Sequence, residues 1–81
     1  MLYPNPASDE INLKLYNEKY SKAQITLYDV MGRKVLPAIE LNNSQNRFTK
    51  TMDVSQLKAG IYLIEVIMGN REKVTAKFVK Q

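Results

Sequence analysis

Hydrophobic residues recur at every second position along most of the chain, the spacing of strands with one buried face. Ile11, Leu13 and Leu15 alternate with polar residues, and Ile25 and Leu27 do so in the next segment. Turn-forming residues separate the segments at roughly 8–12 residues, as in β-sandwiches. The pattern predicts about seven antiparallel strands, over residues 10–16, 24–30, 33–36, 38–41, 47–52, 61–68 and 72–80.

The segment 61–68 is apolar at both odd and even positions except at Glu65. This pattern predicts a central strand with one face on the core and the other partly covered. The last strand is its expected partner, because Gly69 and Asn70 between them both tolerate positive φ and favour a tight hairpin. In that last strand the inward side chains should be Val74, Ala76 and Phe78, and the outward ones Lys73, Thr75, Lys77 and Val79.

Gly60 and Tyr62 stand at the start of the central strand, the arrangement of a tyrosine corner in immunoglobulin-like sandwiches. The Tyr62 hydroxyl would then donate a hydrogen bond back to the backbone near Leu57. Alternatively, Tyr62 is a core aromatic residue with its polar tip at the rim. We therefore predict an all-β, immunoglobulin-like antiparallel β-sandwich, with a core that includes Ile11, Leu13, Ile25, Leu27, Tyr62, Ile64, Val66, Val74, Ala76 and Phe78.

The composition allows one domain and excludes most familiar catalysis. The 81 residues are 44% hydrophobic, enough for one two-layer core, so residues 1–81 are expected to form a single domain. Within it, residues 1–9 should be an extended N-terminal segment and residues 10–81 the sandwich. The chain has no Cys and no His. It therefore lacks disulfides, thiol nucleophiles, the usual zinc sites and the commonest acid–base side chain.

The remaining candidates for chemistry are weak. Asp9 and Glu10 are adjacent acids, but neighbours on a strand point apart and cannot face one substrate. Asp29, Glu40 and Asp53 are too scattered for a calcium loop. The aromatic residues spread over six segments without interleaving with the basic ones, unlike a nucleic-acid groove. We predict no enzyme activity, no catalytic or metal residues, no cofactor and no nucleic-acid partner.

The positive charge lies at the C-terminal end. The net charge is +4, and residues 71–81 hold four basic residues (Arg71, Lys73, Lys77 and Lys80) against one acidic residue, Glu72, for +3. No apolar run approaches the ~20 residues of a membrane span, and the first residues lack the basic and apolar stretches of a secretory signal. We expect a soluble domain that does not insert into a membrane and does not start its own export.

Four segments, in order along nearly the whole chain, resemble the type A C-terminal sorting domain of the type IX secretion system of Bacteroidetes. They read YPNPA at residues 3–7, LYDVMGRKV at 27–35, LKAGIYL at 57–63 and KFVKQ at 77–81. The residues matched to the family's structural motifs are Tyr3, Pro4, Asn5, Pro6, Asp29, Gly32 and Arg33. Those expected to be recognised by the secretion machinery are Gly60, Tyr62, Lys77, Phe78, Val79, Lys80 and Gln81.

The resemblance implies a detachable secretion signal. Such domains follow a covalently attached passenger protein, which an N-terminal signal carries to the periplasm. The outer-membrane translocon and its shuttle proteins recognise the domain, and a surface sortase of the cysteine-protease class removes it on or after translocation. The passenger is then released or joined to lipopolysaccharide at the cell surface. The alternative is an immunoglobulin-like cell-surface adhesion or carbohydrate-binding module, which would need an exposed aromatic platform or a metal loop.

Each motif also has a physical interpretation. Pro4 and Pro6 should keep the N-terminal segment extended and prevent it from forming a central strand. Asp29 and Arg33 flank Gly32, so an ion pair can close a turn in which Gly32 supplies positive φ. Charges on the last strand should be free for recognition, because Lys77 should face outward and Lys80 should lie beyond the inward series. Alternatively, these two lysines only keep an exposed edge soluble.

Overall fold

Segments with alternating hydrophobic residues form strands along most of the chain. The computed structural model describes residues 2–4, 6–69 and 72–81. The described residues form seven strands and no helix. The strands are β1 (Leu2–Tyr3), β2 (Glu10–Tyr16), β3 (Lys22–Asp29), β4 (Ile39–Asn42), β5 (Arg47–Asp53), β6 (Gly60–Met68) and β7 (Lys73–Lys80).

The strands make two sheets that pack face to face. One has three strands in the order β1-β2-β5, and the other has four in the order β4-β3-β6-β7. Every pair of neighbouring strands is antiparallel. The inward side chains of both sheets are buried together, as in a β-sandwich. The predicted all-β antiparallel sandwich is confirmed.

Side-chain alternation correctly identified eight of the ten predicted core residues. The exceptions are Ala76, which is only half-buried, and Val74, which is 36% exposed. The core also contains residues that the prediction did not include: Ala7, Ala23, Leu41, Phe48, Met52, Val54 and Met68. Phe48 and Met52 place the inward face of β5 in the shared core.

The predicted strand over residues 33–36 is wrong. Only Lys34 pairs with Tyr28, and the Val35 N–H donates to the Leu27 carbonyl at 3.0 Å before the chain leaves the sheet. Pro37 follows at once and has no N–H to continue the ladder. The seventh strand is β1 instead, at the edge of the three-stranded sheet.

The N-terminal segment touches both sheets. β1 pairs with β2, and Ala7 then pairs in parallel with Lys80. The Ala7 N–H donates to the Val79 carbonyl, and the Gln81 N–H donates to the Ala7 carbonyl, both at 2.8 Å. The segment therefore joins the edge of one sheet to the C-terminal end of the other.

The β6–β7 hairpin predicted from the sequence is present. The two strands pair from Gly60 with Lys80 to Ile67 with Lys73, and the Met68 N–H donates to the Glu72 carbonyl at 2.8 Å. Asn70 of the predicted turn lies outside the described residues, as do Arg71 and Asn5.

Candidate functional site

The residues expected to be recognised on β7 divide between its two faces. Phe78 points into the core and is fully buried, whereas Lys77 and Val79 point outward and are exposed. Gln81 follows the strand and is also exposed. A partner that approaches the folded domain can therefore contact Lys77, Val79 and Gln81, but not the Phe78 ring.

The expectation that Lys80 is a free surface charge is wrong. Lys80 continues the inward series of Phe78, and only 7% of the residue is exposed. Its Nζ donates a hydrogen bond to the backbone oxygen of Gln81 at 2.7 Å. The aliphatic stem of a lysine can be buried while its ammonium reaches a polar group at the rim. Ala7 packs at this end of β7, where it forms backbone hydrogen bonds with Val79 and Gln81, the two neighbours of Lys80.

The alternative role of the two lysines assumes an exposed edge on the last strand, and Ala7 covers the C-terminal end of that edge. β7 is the outermost strand of the four-stranded sheet. The Ala7 hydrogen bonds occupy the edge at Val79 and Gln81. Addition of a strand along the whole of β7 would first require the N-terminal segment to leave this edge.

The tyrosine corner is formed as predicted from residues 57–62. The Tyr62 hydroxyl donates to the Lys58 carbonyl at 2.6 Å. The Tyr62 ring stacks on Phe78, with centroids 5.6 Å apart and an interplanar angle of 23°. Gly60 before it is exposed and has φ of +154°, a value that other residues rarely adopt. Tyr62 is buried, so in this corner the accessible recognition candidate is Gly60.

The turn that joins β3 to Lys34 is built around Asp29. Its Oδ1 accepts the backbone N–H groups of Met31 at 2.9 Å and Arg33 at 3.0 Å. Its Oδ2 accepts from Arg33 Nε at 2.9 Å. Gly32 has φ of +81°, as predicted for this turn. The pKa of Asp29 is lowered from its usual value. The largest cause is the hydrogen bond from the Arg33 backbone N–H, and the Arg33 guanidinium and the Met31 N–H lower the pKa further.

Tyr3 of the YPNP segment lies in the edge strand β1, while Pro4 and Pro6 lie outside the strands, in agreement with the expectation that the prolines keep this segment out of a central position. Tyr3 pairs with Asn12, whose side-chain Nδ2 donates to the Tyr3 carbonyl at 3.1 Å. Pro4 and Pro6 are both exposed. This segment holds the start of the chain against β2 and then leads it to Ala7.

The prediction missed an exposed apolar cluster on the outer face of the four-stranded sheet. We call it the outer patch; its members are Tyr28 on β3, Ile61 and Leu63 on β6, and Val79 on β7. Ile61, Leu63 and Val79 are 40–46% exposed, and Tyr28 is half-buried. The available sequence signal was the apolar character of 61–68 at both odd and even positions, which places large hydrophobic residues on the face away from the core.

The described residues form neither a cluster of metal-ligating side chains nor a helix that could span a membrane. They contain no group of three or more carboxylates close enough to hold a metal ion. They also contain no helix long and apolar enough to cross a bilayer.

Comparison with known proteins gives a match over the whole length. A family model described as the secretion system C-terminal sorting domain matches residues 1–81. The chain is also 30% identical over 78 residues to an endo-acting ulvan lyase of Formosa agariphila. That alignment covers 96% of this chain and 14% of the lyase. The resemblance drawn from the four motifs is confirmed by the family match.

Proposed function

This chain belongs to the family of type IX secretion system C-terminal sorting domains, and we propose that it delivers an upstream passenger protein to the outer-membrane translocon and its shuttle proteins. A type IX secretion signal implies export to the outer membrane or cell surface, and its family is one of signals rather than catalysts. In our proposal residues 1–81 act as one domain, and a surface sortase of the cysteine-protease class then removes it.

The observation that carries the proposal is the family match over all 81 residues. The lyase alignment supports the passenger arrangement, because 78 aligned residues make up only 14% of that protein. A chain of this kind therefore occurs within a much larger protein. The passenger of the present chain is a separate question, and the lyase activity is a property of that relative.

The structure supports a division of labour among the motif residues. Tyr62, Phe78 and Lys80 are buried, so we propose that they act through folding. Gly60, Lys77, Val79 and Gln81 are exposed and can act through contact. Loss of secretion in a buried variant should accompany loss of stability, whereas loss in an exposed variant should not.

The alternative role for the lysines, protection of a sheet edge, is favoured at Lys80. The outermost strands β5 and β7 each carry a lysine at an inward-facing position, Lys50 between Phe48 and Met52, and Lys80 after Phe78. Inward charges on edge strands oppose pairing with a second sheet. We therefore assign recognition to Lys77 and edge protection to Lys80.

The test is a secretion assay in a bacterium with a type IX system. A fluorescent reporter with an N-terminal export signal is fused upstream of residue 1 and compared with the same reporter lacking the domain. We expect surface delivery of the fusion only, and periplasmic accumulation of both proteins in a strain without the translocon. Mass spectrometry of the delivered reporter should show a new C-terminus upstream of β2, absent in a strain without the sortase.

Two results would contradict the proposal. Periplasmic retention of a folded fusion in the intact strain would remove the secretion role. Adhesion of the purified domain to a polysaccharide would favour the binding-module alternative. Such a module would need exposed aromatic rings side by side. The two most exposed tyrosines, Tyr3 and Tyr16, do not form such a platform, because Tyr3 lies opposite Asn12, four positions from Tyr16 along β2.

A further inference from the structure

The outer patch is continuous across three strands. Ile61 lies directly opposite Val79, and Leu63 lies opposite Tyr28 on one side and Lys77 on the other. Residues at opposite positions of paired strands place their side chains on the same face, within contact distance of each other. The apolar side chains therefore form one surface and not scattered points.

The patch has a sharp boundary in one direction. At the next outward position of β6 stands Glu65, opposite Thr26 and Thr75. Glu65 accepts an ion pair from Lys73 at 3.5 Å. In the following row the half-buried Ile67 lies between Gln24 and Lys73, so the exposed large apolar side chains of β6 lie at the end beside Gly60.

At the other end the Asp29–Arg33 turn follows Tyr28 along the chain. Val30 and Met31 follow β3 and are 66% and 76% exposed. Large apolar residues exposed together on a small protein mark an interaction site more often than single exposed ones do. Exposed apolar residues are therefore found on β6, on β7 and in this turn.

Positive charge lies on both sides of the patch. Lys34 pairs opposite Tyr28 on the far side from Leu63, so one row across the sheet reads Lys34, Tyr28, Leu63 and Lys77. Lys34 is exposed, and the nearby Arg33 is already paired with a carboxylate. A second copy of this chain docked face to face would oppose lysine to lysine, which is unfavourable.

Three of the four motif segments supply this one surface. Their buried members, Leu27, Tyr62 and Phe78, lie in the core. Their outward members form the patch and its rim: Tyr28, Val30 and Lys34 from the second segment, Ile61 and Leu63 from the third, and Lys77 and Val79 from the fourth. Segments far apart in sequence therefore meet on one exposed face.

We propose that the outer patch is the surface through which the domain docks on a protein whose binding site is apolar and bordered by carboxylates. This inference rests on the proposed function, with a component of the outer-membrane secretion machinery as the partner. A lipid surface fits the outer patch less well, because its members Ile61, Leu63 and Val79 are each less than half exposed. Side chains that anchor a protein in a bilayer reach about 5–10 Å into it.

The test uses the full chain fused to the reporter, with Ile61→Thr and Leu63→Thr combined in one variant. Threonine has the β-branched shape that strands favour, and it removes most of the apolar surface of both side chains. The matched control combines Val74→Thr and Tyr16→Thr, which change exposed apolar residues outside the patch. Urea denaturation establishes that both variants remain folded.

Binding is measured by surface plasmon resonance on purified, detergent-solubilised type IX translocon complex, and delivery is measured in cells. We expect the patch variant to bind about tenfold or more weakly, as when central interface contacts are lost, and to stay in the periplasm. The control should match the parent. Lys34→Glu should also weaken binding, with a smaller effect at high salt because screening removes the attraction.

The opposite results identify which statement fails. If the parent fusion is delivered and binds, but the folded patch variant does so equally well, the docking inference is wrong while the secretion function stands. If the parent neither binds nor is delivered, the proposed function fails first. Patch-dependent binding to anionic lipid vesicles, or patch-dependent dimers in sedimentation, without a change in translocon binding would overturn the choice of a protein partner.

Discussion

Phe78 is the residue whose removal tests the core most directly. It lies on β7 opposite Tyr62, fully buried, with its ring stacked on the tyrosine ring. Phe78→Ala removes the ring and leaves a cavity between the two sheets, because neighbouring strands are held by their hydrogen-bond ladders and cannot fully collapse into it.

The expected loss is large for a chain of this size. Burial of a phenylalanine ring and the cavity left by its removal together correspond to about 3–5 kcal/mol of unfolding free energy. At about 0.05–0.15 kcal/mol per residue, 81 residues provide roughly 4–12 kcal/mol in total. At roughly 4–8 °C per kcal/mol, the melting temperature should fall by about 12 °C or more.

The measurement is urea denaturation followed by far-UV circular dichroism, with equal m-values required for comparison. Val79→Ala is the matched control, since Val79 is adjacent but faces outward, and it should cost less than about 1 kcal/mol. An unfolding free energy of Phe78→Ala within about 1 kcal/mol of the parent would refute the inward packing of this ring.

Three further predictions follow from the hydrogen bonds. Tyr62→Phe keeps the ring but loses the donor to the Lys58 carbonyl, so chemical denaturation should show a loss of about 0.5–1.5 kcal/mol. The pKa of Asp29 is lowered from 3.8, so its contribution to stability is complete above about pH 5 and is lost as the pH falls through the folded-state pKa. Asp29→Asn should therefore make the melting temperature less sensitive to pH in this acid range. Lys80→Glu should destabilise by about 1–3 kcal/mol, because the buried site loses its donor to Gln81, whereas Lys80→Met keeps the stem and should cost less.

Each of these has a result that contradicts it. Equal stability of Tyr62→Phe and the parent would mean that water replaces the hydroxyl as donor to Lys58. An unchanged acid dependence in Asp29→Asn would assign the acid sensitivity to other carboxylates. A folded and fully stable Lys80→Glu variant would mean that Lys80 is accessible to solvent, and recognition at that lysine would again be open.

Much of the fold was predictable because alternation and turn residues are local signals. The bounds of β2 agree with the prediction at both ends, and those of β5, β6 and β7 agree within one residue. The tyrosine corner and the Gly32 turn were also correct, since each is formed by residues at most five positions apart. The strand predicted over residues 33–36 failed because its few apolar residues pack against the core without a continuous ladder.

Alternation along a strand predicts which side chains point inward, whereas their burial depends on tertiary packing. Val74 and Lys80 share one face of β7, yet the hydrophobic valine is exposed and the charged lysine is buried. The reason is the cover supplied by distant residues: Ala7 pairs with Lys80, whereas Val74 lies at the other end of β7. The outer patch likewise exists only because strand pairing sets Tyr28, Leu63 and Val79 side by side. Alternation fixes direction along one strand, whereas burial depends on what another part of the chain places over it.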